Sequence, residues 1–159
     1  MSDAEWTAQV RGNTLRLNAA MLKSAKDFEQ RRRFDDQAVR RDNAQGQTQA
    51  TRFSAAKSIQ GVVIHEVGHL MLNRAREAGV DLSELCDALG VDRERASDAS
   101  LPLKPESVPK AQRISEYAAT DGDQYFAEAW VVYHTEGKKR VSPRVRKLIE
   151  KVKSLVNRK

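Results

Sequence analysis

The stretch Ile59-Gln60-Gly61-Val62-Val63-Ile64-His65-Glu66-Val67-Gly68-His69-Leu70-Met71-Leu72 decides how the rest of the chain is read. Ile59, Val62, Val63, Glu66, Val67, Leu70 and Met71 recur at three- and four-residue spacing, the period of one helix face. The pattern predicts a helix from about Ser54 to Ala78, with Ser54 as N-cap and Gly79 as its C-terminal stop. Such a helix would be the most buried element of the domain.

Working outward toward the N-terminus, residues 42–52 (DNAQGQTQATR) lack apolar periodicity and read as a loop. Residues 19–41 are rich in Ala, Lys, Glu, Gln and Arg, with Met21, Leu22 and Phe28 as sparse apolar points, so one or two helices of loosely set register are expected. Residues 13–18 (NTLRLN) alternate polar and apolar, the signature of a short half-buried strand. Toward the C-terminus, Asp81 and Gly90 bracket a short helix with Leu82, Leu85 and Leu89 on one face. Pro102, Pro105 and Pro109 exclude a continuous helix over 97–112 and predict an extended excursion across the surface. Further helices are expected over 123–134 and 143–156, the latter striped by Val145, Leu148, Ile149, Val152 and Leu155. Trp130, Phe126 and Val131 fall at helical spacing and read as core, and His134 as a helix-end surface histidine.

A length of 159 residues with 40% hydrophobic content fits one domain, 1–159, and leaves too little chain for two buried cores. The net charge of +6 is unevenly placed. Residues 138–159 carry ten Lys/Arg against Glu150 alone, a net +9, so the first 137 residues are slightly acidic at −3. This basic C-terminal helix predicts contact with an anionic partner. An acidic protein surface is favoured over nucleic acid, because the segment has no aromatic residue for base stacking. Cys86 is the single cysteine, so neither an internal disulfide nor a Cys-rich metal site is expected; flanked by Leu82 and Leu89 it reads as a small buried hydrophobe. The opening MSDAEWTAQVRGN has no apolar core of a secretory leader, and no eighteen-residue apolar run suggests a membrane span. A cytoplasmic or virion-associated location is therefore expected.

The chemistry concentrates at His65-Glu66-Val67-Gly68-His69, an H-E-x-x-H motif inside the strongest helix. Residues four apart share a helix face, so two imidazoles can hold one Zn²⁺ while Glu66 takes a proton from water beside it. With 3 His and 11 Glu in the chain, the motif is expected by chance about 0.004 times. The implied reaction is peptide-bond hydrolysis. Leu72 and Ala75 stand where a metzincin would continue with Gly and a third His, which excludes that class. The third ligand must then come from another helix, and Asp123-Gln124-Tyr125-Phe126-Ala127-Glu128 offers one.

Ser115-Glu116-Tyr117-Ala118-Ala119-Thr120, followed by Gln124-Tyr125-Phe126-Ala127-Glu128-Ala129-Trp130, resembles the S-x-Y-(x)6-E-F-F-A-E-A-F block of the anthrax lethal factor catalytic-domain family. Similar minimal gluzincins occur in phage and prophage proteins, some associated with head morphogenesis. The resemblance spans roughly residues 59–155, and Leu15-Arg16-Leu17-Asn18 is weakly similar to the edge strand of such domains. It implies His65 and His69 as zinc ligands, Glu66 as general base, Tyr117 as a hydroxyl donor to the oxyanion and Glu128 as a carboxylate orienting a ligand imidazole.

The family's metal-binding glutamate falls on Gln124, the one departure. A neutral amide keeps a carbonyl oxygen able to reach a metal but loses the negative charge, which weakens Zn²⁺ retention. Three arrangements follow: Gln124 ligates through oxygen, Glu128 moves onto the metal, or water fills the position. Asp123, about 100° further round the helix, is the poorer candidate.

The expected fold is therefore a mainly helical α+β domain of the minimal gluzincin (zincin-like) kind, a small sheet containing 13–18 flanking the motif helix. The expected function is a zinc metallopeptidase, a hydrolase acting on a protein substrate. The alternative is a bacteriophage virion protein of the head or neck, keeping the fold with a disabled site and contacting a neighbouring virion subunit.

Overall fold

The computed structural model describes residues 8–11, 14–18, 24–97 and 99–156, and over these the chain is mainly helical with one small sheet. Strands β1 (Ala8–Arg11) and β2 (Thr14–Leu17) pair antiparallel, with Ala8 opposite Leu17 and Arg11 opposite Thr14. β2 falls within the alternation of residues 13–18; Asn13 and the stretch 19–23 lie outside the described residues. Helix α1 (Ala25–Ala44) begins at Ser24, whose hydroxyl accepts the Asp27 N–H. It is followed by α2 (Ile59–Glu77), α3 (Leu82–Leu89), α4 (Val108–Gln112), α5 (Gly122–Thr135) and α6 (Pro143–Val156).

The motif helix α2 starts later than its apolar pattern predicts. Ser58, not Ser54, is the N-cap, and its hydroxyl accepts the Gly61 N–H at 3.1 Å. Ser54 is drawn instead into a buried hydrogen bond with Glu128, a long-range demand that local capping chemistry does not reveal. At the other end Gly79 takes a φ of 98°, as its stop role requires. The short helix α3 keeps its expected limits, Asp81 capping and Gly90 in the left-handed conformation.

α2 packs chiefly on α5, with the β-hairpin on another side of it and α6 across its outer part. A Cβ added at Gly68 would lie 3.0 Å from the Ala127 Cα and 3.1 Å from the Trp130 Cβ. Glycine here lets the two helix backbones close to a distance no other residue permits, and Ala127, fully buried, is the matching small residue on α5. α6 closes the core with Val145, Leu148, Ile149 and Val152 buried, each contributing about 2 kcal/mol of apolar transfer. Phe126, Trp130, Val131 and Cys86 are core residues, as their spacing implies.

The segment 97–112 departs from its expected surface course. Leu101 and Ala111 are fully buried, Val91 and Leu103 form a β-bridge, and the Leu101 carbonyl accepts the Gly122 N–H that opens α5. The prolines do stop a long helix, yet Pro105 and Pro109 sit in the first turns of a 3₁₀ turn and of α4, where a missing N–H costs nothing. No helix among the described residues is long and apolar enough to cross a membrane.

Candidate metal centre

His65 and His69 of α2 face the first half of α5, while Glu66, one residue further round, meets the Val10 backbone of β1. Asp121 caps α5 and accepts the Gln124 N–H at 2.8 Å, which fixes Gln124 in the first turn facing α2. His65 Nε2 then lies 3.0 Å from Gln124 Oε1 and 3.1 Å from His69 Nε2, and the Gln124 side chain also bonds His69. One turn along α5, Glu128 is completely buried behind His65, its Oε1 at 2.8 Å from His65 Nδ1.

The Glu128 carboxylate is saturated. Ser54 donates to Oε1 at 2.9 Å; the Ser115 hydroxyl and Ala55 N–H donate to Oε2 at 2.7 and 2.5 Å. Burial works to raise its pKa, but these donors and His65 outweigh it and hold the group below the usual carboxylate value. An ionised Glu128 only accepts, so His65 Nδ1 donates to it, which leaves Nε2 as the atom that a neutral His65 would offer to a metal. That atom faces the Gln124 carbonyl oxygen, itself a possible metal donor. Burial, reinforced by His65, pushes the His69 pKa down to about 4, so its imidazole is neutral near pH 7.

This donor set fits a metal ion. A tetrahedral ion with bonds of about 2.0–2.1 Å sets its ligand atoms about 3.3 Å apart, near the separations found here. Zn²⁺ would take His65 Nε2, His69 Nε2 and Gln124 Oε1, with Glu128 orienting His65 from behind. Among the described residues no three His, Cys, Asp or Glu side chains converge, because the third donor is an amide. Of the alternatives that the sequence leaves open, Glu128 lies on the Nδ1 side and not beside the Nε2 atoms, and Asp123 is turned to Arg76 at 3.1 Å. His134 lies exposed at the end of α5, against Trp130 and Tyr133, as a helix-end histidine.

Glu66 is buried with its pKa raised, chiefly by desolvation, which opposes His65 and the Val10 backbone hydrogen bond. β1 thus touches Glu66 directly. Tyr117 stacks on His65 at 5.6 Å between ring centroids and on Phe53 at 5.8 Å. Burial first, then the carboxylates Glu66, Glu128 and Asp121, raises its pKa, so the hydroxyl stays a donor. Ser54, Ala55 and Phe53 were invisible as site residues in the sequence; Ser115, inside the S-x-Y block, was the only one of the supporting donors with a signal.

Comparison with known protein families, curated proteins and solved structures finds no match for this chain.

Proposed function

We propose that this protein is a zinc-dependent metallopeptidase of the minimal gluzincin kind, phage- or prophage-type, hydrolysing peptide bonds in a protein substrate. The observation that carries the reading is His65 Nε2 lying 3.0 Å from Gln124 Oε1 and 3.1 Å from His69 Nε2, backed by a saturated Glu128. The order of its blocks supports the same reading, since both fall on elements that touch. When bound, the metal supplies Lewis-acid polarisation of water and of the scissile carbonyl. Glu66, its pKa raised by burial, accepts a proton from the attacking water and returns it to the leaving amine. Tyr117, kept protonated, donates to the carbonyl oxygen as charge develops there.

Metal analysis of the purified chain tests this directly: close to one equivalent of zinc is expected, and less than about 0.1 after metal-supplemented purification would sink it. Glu66→Gln should retain metal and lower peptide cleavage at least ~100-fold; undiminished cleavage removes Glu66 from the mechanism.

A second reading rests on Gln124, whose neutral amide leaves the site short of one negative charge. It is a virion head or neck protein that keeps the fold as scaffold. Gln124→Glu should tighten zinc by about tenfold or more, about 1.4 kcal/mol. Proteolysis gained from an inactive parent favours the scaffold; an already active parent defeats it.

A further inference from the structure

A second polar concavity lies away from the metal centre. It is a cleft of about 390 Å³ at the C-terminal end of α5. Glu136 on its wall caps α5 twelve residues beyond Gln124, about 18 Å along the helix. Arg40 of α1, Arg52 and Lys57 of the loop before α2, Arg113 at the end of α4 and Arg140 beyond α5 line it. Two carboxylates, Asp36 and Glu136, share the wall, and both are engaged within the protein. Asp36 accepts the Phe53 N–H at 2.8 Å, and Glu136 pairs with Arg52.

Arg52 is further held by its Nε donating to the Ile114 carbonyl at 2.7 Å, so its guanidinium has a set orientation. Buried Ile114 and Val132 make a firm floor. Lys57, Arg113 and Arg140 are exposed and make no ion pair among the described residues, and Arg40 reaches only the Thr51 carbonyl. Four chain segments that are remote in sequence thus bring five cations to one small concavity against two carboxylates, Glu136 paired with Arg52 and Asp36 held by a backbone N–H. Like charges gathered this way repel one another, and the arrangement is relieved by a counter-anion.

We propose that this cleft binds a small phosphate-bearing molecule. Its volume is that of a small-ligand site and not of a groove for an extended chain. Four of the five cations are arginines, whose planar forks match phosphate oxygens two at a time. The site is independent of the metal centre and of the peptidase reading.

The test is calorimetric titration of the full chain with fructose 1,6-bisphosphate, a compact carrier of two phosphates and a poor metal chelator, in low salt. Saturable 1:1 binding is expected, weakening as salt screens the cleft, and falling at least tenfold in the Arg113→Ala/Arg140→Ala double variant. Both side chains are exposed, so the variant keeps the core; circular dichroism checks this, and Lys57→Glu provides a second variant with the same expected loss. Three results would overturn the proposal: no saturation by ~10 mM ligand, affinity unchanged in both variants, or displacement by a hexaglutamate peptide that binds more tightly. The last would make the cleft a docking surface for acidic protein.

Discussion

Helices α1 and α2 are nearly equal in length, 20 and 19 residues, and each starts at a serine N-cap, yet they are built for opposite purposes. α1 buries only Phe28 and Val39 and leaves Phe34 64% exposed. α2 buries seven residues, among them His65 and Glu66, and presses Gly68 against α5. Local propensity suffices to make either helix. Placing two imidazoles to within tenths of an ångström takes a neighbour that bonds them, as Gln124 and Glu128 of α5 do for His65 and His69.

The sharpest way to break this contrast is Glu128→Ala. Removing the carboxylate strands His65 Nδ1, Ser54, Ser115 and the Ala55 N–H in the core, so about 4 kcal/mol of stability should be lost in urea unfolding, along with metal affinity. A loss below about 1 kcal/mol would mean that water replaces the carboxylate, and that α2 is no more demanding than α1.

Gly68→Val should come next. The added branched side chain meets the Ala127 backbone and Trp130, forcing α2 and α5 apart at a cost of about 2–3 kcal/mol. Since His65 and Gln124 sit on the separated helices, metal binding should weaken more than stability alone explains. Retained zinc affinity would show that the site tolerates a wider crossing. The smallest effect belongs to α1, where Phe34→Ser on the exposed face should change stability by less than about 0.5 kcal/mol. A larger change would reveal that α1 is anchored through Phe34 after all.

The C-terminal helix shows where charge reading stops short. The apolar stripe of α6 docks as its period implies, but not all of the basic charge is left for a partner: Lys151 pairs with Glu84 at 2.6 Å, and Lys153 lies over the Tyr133 ring. Arg144 and Lys147 remain exposed, and Arg158 lies outside the described residues. Net charge counts residues without knowing which of them the fold will spend on itself. The course of 97–112 was misread for a related reason: proline reports what the backbone cannot do, while burial of Leu101 depends on a cavity made by α3 and α5.

By itself the sequence determined the helices at 59–77, 82–89, 122–135 and 143–156, within a few residues, because apolar periodicity and capping side chains act over one or two turns. The spacing within H-E-x-x-H is likewise a local property of one helix face, whereas the pairing of that motif with the Tyr117–Glu128 block was implied only by the family resemblance. Only the tertiary structure decided that Gln124 and not Glu128 faces the two Nε2 atoms, that Ser54 serves a buried carboxylate and not a helix end, and that Arg40, Arg52, Lys57, Arg113 and Arg140 share one cleft. The first two depend on groups 59 and 74 residues apart being desolvated together, and the third on remote segments meeting at one surface concavity. For the buried groups, the penalty of being left unpaired exists only once the core has closed around them.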